Sequence, residues 1–227
     1  MDRAEQMRHR RSRPRGLGQT FSPPDYFDTG WAGVFVAGCE AIGANPLDVA
    51  GLLMNESGFN PSEQNSIGCV GLNQQCPGSQ NFLNDYTVNQ YLALPISEQL
   101  SYVFAFWQSK MSAAGVSTIS AAELYQLNFL PATFTPGESS SYVISSKGDP
   151  YYASNAGLDT TGDGQITLGD LQQVITNAQN NNPALFAYLE EQILLCGGLG
   201  GFTTTPWLVG GGLAAGFAGF FAWRAWR

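Results

Sequence analysis

Between Asn45 and Pro61 the chain is punctuated so that little other than a helix fits. Asn45-Pro46 reads as a start, an N-cap side chain followed by a residue whose missing N–H is harmless in the first turn. Val49, Leu52, Leu53 and Glu56 then recur at i, i+3, i+4, i+7, one face of a helix. Gly58 suits a left-handed residue after the last turn, and Pro61 forbids resumption. The apolar stripe therefore ends in a carboxylate. Apolar neighbours and the negative end of the helix dipole both disfavour an ionised Glu56, so its pKa is expected to rise. A glutamate protonated near neutral pH can act as a general acid. A solvated glutamate at a helix end is the plain alternative.

Charge is distributed unevenly. Six arginines (Arg3, Arg8, Arg10, Arg11, Arg13, Arg15) crowd the first sixteen residues, and Arg224 and Arg227 close the chain. Between them only Lys110 and Lys147 face sixteen acids, within a formal net charge of −8 for the whole. An acidic body argues against nucleic acid as its specific partner. Residues 1–20 have no apolar run after the arginines, unlike a signal peptide, and read as a disordered basic arm.

Further helices are expected from capping and periodicity. Asp28 or Thr29 can cap a helix carrying Trp31, Val34, Phe35, Gly38 and Ile42. Pro95 opens one with Leu100, Val103, Phe104, Trp107 and Met111 on its apolar side. Ser120 and Glu123 form a capping box for a helix stopped by Pro131. Helices are also expected from Leu168 to about Asn177 and from Pro183 to Leu195. Residues 58–94 show little periodicity.

Two motifs in order carry a resemblance. Glu56-Ser57-Gly58-Phe59-Asn60-Pro61, followed by Ser66-x-Gly68-x-x-Gly71-Leu72-x-Gln74, resembles the goose-type lysozyme-like lytic transglycosylases. The likeness is close over about twenty residues and loose over about 25–135. It implies a helical domain with a small β-hairpin in 58–94, lining a sugar groove, and cleavage of the β-1,4 bond between N-acetylmuramic acid and N-acetylglucosamine. It assigns Glu56 as general acid and base, and Ser57, Gly71, Leu72 and Gln74 to substrate. Leu124–Pro131 is similar to a late helix of phage members, whose tyrosine or polar residue faces the glutamate; this places Tyr125 and Asn128 at the groove. The usual Ala-Tyr-Asn-x-Gly form is absent, and a half-buried core role for Tyr125 stays open. A single acid suffices where the 6-hydroxyl of the muramic acid is the nucleophile, whereas a hydrolase needs a second carboxylate about 5–9.5 Å away; Glu63 and Asp85 are the nearest loop candidates. Hydrolase chemistry and a purely glycan-binding structural protein of a virion or envelope remain the alternatives.

Cys69 and Cys76 flank the Gly-Leu-x-Gln segment. A disulfide there would pin the loop beside Glu56, and four free thiols with Cys39 and Cys196 is the other possibility; spacing leaves both open. Downstream, Asp159, Thr161, Asp163, Gln165, Thr167 and Asp170 fall on positions 1, 3, 5, 7, 9 and 12 of a calcium loop, with Gly164 at the turn. Thr161 and Asp170 depart from the commoner ligands, and Asp170 is similar to dockerin-type loops. Structural Ca²⁺ is expected; an Asx-rich turn capping the next helix through Thr167 and Asp170 is the alternative. After a Gly/Thr linker at 197–205, residues 206–223 carry no charge and at about 1.5 Å per residue span roughly 27 Å. Trp207 at one end and Trp223 and Trp226 at the other suit membrane interfaces, and Arg224 and Arg227 place the body outside the cytoplasm.

The expectation is thus a mainly α protein: basic arm 1–20, lysozyme-like domain 21–135, connector and EF-hand-like unit 136–196, linker 197–205 and membrane anchor 206–227. Its expected partners are peptidoglycan strands, a membrane and, since no export signal is visible, the virion proteins of a phage particle.

Overall fold

A computed structural model describes residues 22–197 of the chain. The basic arm, nearly all of the linker and the membrane anchor lie outside the described residues. Among the described residues no helix is long and apolar enough to cross a membrane.

The fold is mainly helical. The helices are α1 (Trp31–Ile42), α2 (Pro46–Ser57), α3 (Val88–Leu92), α4 (Ile96–Ala114), α5 (Ala121–Phe129), α6 (Pro150–Asn155), α7 (Leu168–Asn181) and α8 (Pro183–Leu195). Strands β1 (Val143–Ser146) and β2 (Gln165–Thr167) pair antiparallel with an irregularity between Val143 and Ser145.

Helix α2 starts as its sequence dictates. The Asn45 side chain accepts from the N–H groups of Leu47 and Asp48, two donors without intrahelical partners. It ends at Gly58, which is left-handed (φ 64°) and donates its N–H back to Met54. Phe59 follows with φ 60°, unusual for a large side chain. Its ring is fully buried within 5.5–6.3 Å, centroid to centroid, of Phe27, Trp31 and Phe35, and this packing offsets the backbone cost.

Helix α1 is capped at Gly30 without a side-chain hydrogen bond. Asp28 instead accepts from the N–H of Gly30 (2.8 Å) and from that of Ser97 in the first turn of α4 (3.1 Å). Pro95 starts α4 with no capping side chain of its own, so an acceptor sixty-nine residues upstream takes that place. Gly38 lets α1 close onto α4: a Cβ there would lie 2.2 Å from the Phe104 ring.

The core does not stop at residue 135. Ile144, Ile166, Leu171, Val174, Ile175, Leu189 and Ile193 belong to the same hydrophobic cluster as Val49, Leu52, Leu53 and Trp107. Helix α7 packs on α2 and α5, and α8 on α1 and α2. Gly51 of α2 permits this approach, since a Cβ there would lie 2.8 Å from the Ile175 side chain. Gln179 donates to the Leu47 carbonyl and to Asp48, tying the end of α7 to the start of α2. The boundary expected at 135/136 therefore does not divide the core: residues 136–196 supply part of it, because the apolar faces of α7 and α8 have only α1, α2 and α5 to bury against.

The hairpin expected in 58–94 also does not form. That segment holds only isolated bridges, Gln64 with Val70 and Val70 with Gln75, along with a 3-10 turn at Asn81–Asn84 and the short α3. Left-handed Gly68, Gly71 and Gln74 turn the chain too often for paired strands. The loop is organised by a second small cluster, in which Phe82 stacks on Tyr91 at 3.7 Å. Buried Gln99 of α4 donates to the carbonyls of Pro61 (2.7 Å) and Tyr91 (2.8 Å), fastening both ends of the loop.

Candidate active-site cleft

The last turn of α2, the 63–79 loop, α4, α5 and the α6 region surround a cleft of about 730 Å³. Glu56 lines it and is half-buried. Burial raises its pKa from 4.5 to about 7, against an opposing pull from the Tyr125 hydroxyl, which donates to the carboxylate. Tyr125 is 1% exposed, a fully buried core residue and not a half-buried one, and its hydroxyl faces the glutamate. Burial, with Glu56 next in importance, holds the Tyr125 pKa well above its ordinary value, so the hydroxyl keeps its proton. Asn55, one residue before Glu56, donates its side-chain amide to the same hydroxyl oxygen and fixes the ring's tip.

Asn128 lines the cleft three residues beyond Tyr125, on the same face of α5. Its carboxamide accepts from Trp107 Nε1 (2.9 Å) and from Asn73 Nδ2 (3.1 Å) and donates to the Asn73 carbonyl (3.0 Å). Asn128 thus clasps the loop to α4 and α5, and Asn73 is a site residue that the motif reading passed over. Only its partner across fifty-five residues reveals its role. Two atoms under this floor, Asn73 Oδ1 and Gln75 Nε2, have no hydrogen-bond partner in the protein.

The glycine-rich motif is placed differently from its expected role. Ser57 is buried and spends its hydroxyl on the Leu53 carbonyl one turn back, away from the cleft lining. Leu72 is fully buried in the main core. Gly71 is held at φ 74°, where a Cβ would sit 2.6 Å from the Tyr91 ring. Neither Ser57, Gly71 nor Leu72 reaches the cavity; they shape the loop that does. Gln74 lines the cleft, yet its amide folds back onto the carbonyls of Gly71 (3.0 Å) and Glu63 (3.4 Å).

Glu63 lines the same cleft as Glu56, whereas Asp85 is outside it and accepts from Tyr102. Cys69 and Cys76 are joined by a disulfide and both contribute to the cleft wall; Cys39 is a buried free thiol and Cys196 an exposed one. On the far side Ser154, Asn155, Gly157 and Leu158 complete the enclosure. No motif signalled this wall, because it belongs to the segment leading into the acidic loop.

That acidic loop runs between α6, extended by a 3-10 turn at Ala156–Leu158, and α7, with β2 over positions seven to nine. Asp159 accepts from the N–H groups of Gly162 and Gly164 and from the hydroxyls of Thr161 and Tyr152. The Tyr152 bond does most to lower its pKa. Asp170 accepts from the N–H and hydroxyl of both Thr160 and Thr167, the latter as a capping box for α7. Burial works to raise the Asp170 pKa, and these hydrogen bonds together outweigh it. Asp163 accepts from the Gln165 N–H. Both carboxylate oxygens of Asp159 and of Asp170 are turned toward protein donors. Among the described residues no group of three or more His, Cys, Asp or Glu side chains is placed to hold a metal ion.

Comparison of the chain with protein-family models, with curated proteins and with solved structures found no match.

Proposed function

We propose that this protein is a lytic transglycosylase of peptidoglycan with a lysozyme-like catalytic cleft. The observation that carries the reading is the environment of Glu56: a carboxyl in a large cleft, raised to about 7 by burial and held by a hydroxyl from the opposite helix. Such a group donates a proton to a glycosidic oxygen near neutral pH. In the proposed reaction Glu56 protonates the oxygen between N-acetylmuramic acid and N-acetylglucosamine, and the C1–O bond breaks. The carboxylate so formed takes the proton from the muramic acid 6-hydroxyl, whose oxygen bonds to C1. The product ends in a 1,6-anhydro ring and Glu56 is again protonated. The nucleophile belongs to the substrate, so holding it close replaces a second enzyme group. Tyr125 offsets the charge on Glu56 between the two steps.

A second reading rests on Glu63, which shares the cleft with Glu56. As a base it would activate water, and the protein would be a muramidase. Mass spectrometry of released muropeptides separates the two, since anhydro and hydrolysed ends differ by one water. The Glu56→Gln variant should release neither while unfolding as cooperatively as the wild type; undiminished release would remove Glu56 from the mechanism. A glycan-binding protein without activity would release nothing as wild type.

Calcium at the 159–170 loop belongs to the same proposal, as an EF-hand-like structural clip. Asp159, Thr161, Asp163, Gln165 and Thr167 would hold it. Asp159 and Asp170 could serve only by turning from the donors that hold both oxygens of each, so the loop suits the ion imperfectly. Calorimetric titration with Ca²⁺ tests this. A membrane anchor at 206–223, an extracytoplasmic body and a place in a phage particle complete the proposal; recovery of the full chain wholly in the soluble fraction would remove the anchor.

A further inference from the structure

The described body carries sixteen acids and two lysines, and one of those lysines is in the cleft. Lys110 is half-buried on α4, one turn after Phe106, and both residues line the cavity. Its ammonium sits 5.4 Å from the Phe106 ring centroid, a cation–π contact that leaves its hydrogen-bond donors unused. It forms no ion pair with any acid among the described residues, although Glu56 and Glu63 share the cavity with it. Phe106 is 7% exposed and belongs to the core, so it is a fixed platform for the lysine's stem. The neighbouring Trp107 is locked to Asn128, which fixes this stretch of α4 against the cleft floor.

An unpaired ammonium held in a cleft of an otherwise acidic body has a clear electrostatic consequence. The body as a whole repels anions, and Lys110 makes one place in the cleft where a carboxylate is favoured. We propose that Lys110 is a specificity-determining residue that pairs with a carboxylate borne by the glycan's peptide substituents. The substrate class is then a carboxylate-bearing amino-sugar polymer, as against a neutral one of the same backbone. The inference rests on the glycan-cleaving reading above, and it assigns Lys110 to binding and not to the reacting bond.

The test compares native peptidoglycan with peptidoglycan whose carboxylates have been converted to neutral amides by carbodiimide coupling. Muropeptide release and co-sedimentation are both measured with the full chain. On native material Lys110→Met should raise KM about five- to tenfold with kcat little changed, the size of one charge-assisted contact partly exposed to water. On the amidated material wild type and Lys110→Met should coincide, and Lys110→Arg should recover most of the loss on native material. Equal impairment of Lys110→Met on both materials would make the lysine structural, and an unimpaired variant on native material would overturn the proposal. If the wild type releases no product from either, the catalytic reading fails on its own. Co-sedimentation then still decides Lys110: binding that depends on carboxylates and on Lys110 upholds it, and binding indifferent to both, or no binding at all, overturns it.

Discussion

The hydroxyl of Tyr125 donates to the carboxylate of Glu56, so the residue that keeps the glutamate in place also makes it a stronger acid than burial alone would. The two act in opposite directions, and burial wins. The balance places the carboxyl at about 7.

Removing the hydroxyl should therefore move the pH dependence in a defined direction. Tyr125→Phe deletes the bond that lowers the Glu56 pKa. Under the proposed function, the falling limb of activity with pH, expected near 7 in the wild type, should shift upward, and kcat should drop at least about tenfold from lost support of the carboxylate. The pH–rate profile of muropeptide release measures this; a downward shift would contradict the arrangement.

Glu56 should also cost stability where it is ionised. Its folded pKa is raised above the unfolded value near 4.5. The protonated form is favoured by the fold, so this contribution is complete below about pH 4.5 and is lost as pH rises through about 7. Glu56→Gln keeps the shape without the charge. Its stability should match wild type at pH 4 and exceed it by about 1–3 kcal/mol at pH 8. Urea denaturation at the two pH values gives the comparison, and equal stability at pH 8 would show that the carboxylate is well solvated.

The disulfide between Cys69 and Cys76 closes a short loop whose residues form one wall of the cleft. Loop-closure entropy for so short a ring gives about 2 kcal/mol. Replacing both cysteines with serine should lower stability by about that amount and reduce activity by a larger factor than the stability loss explains. Thermal unfolding and turnover measured below the transition separate the two effects.

Gly71 offers a check on the motif itself. A side chain there meets the Tyr91 ring and would have to adopt φ 74°. Gly71→Ala should destabilise the protein by about 2–3 kcal/mol. Tryptophan fluorescence during denaturation registers the loss, and substrate contact is not needed to explain it.

Asp170 distinguishes a cap from a ligand. Asp170→Ala removes acceptors for four donors on Thr160 and Thr167. The loss, about 1–3 kcal/mol, should appear equally in chelator and in calcium if the carboxylate works as a cap. A loss seen only with calcium present would identify it as a ligand.

Local chemistry was readable in advance. Asn45 and Ser120 cap the helices that follow because capping acts within one turn, Pro95 and Pro183 mark starts because their fixed φ suits a first turn, and Thr167 caps α7, the alternative to its place in a calcium loop. Glu56 emerged from helical spacing and Tyr125 from a resemblance, and both line the cleft. What stayed hidden depends on distant partners. Asn73 shows its role only against Asn128 and Trp107, Asp28 only against Ser97, and the pairing of β1 with β2 only once the acidic loop has folded. The resemblance puts Ser57 and the backbone at Gly71-Leu72 on the groove, yet the direction in which a residue faces depends on packing that motif order does not encode.

The core's continuity across residue 135 bears on the chain while it is being made. Helix α2 leaves the ribosome well before α7, and its face around Gly51 stays uncovered until Ile175 has followed. The wall at Ser154–Leu158 is likewise synthesised late. Nascent or prematurely terminated chains ending near residue 135 would thus lack both the buried surroundings that raise Glu56 and the far side of the cleft. Under the proposed function, cleavage would arise only when the last helices dock, after synthesis of the chain is complete.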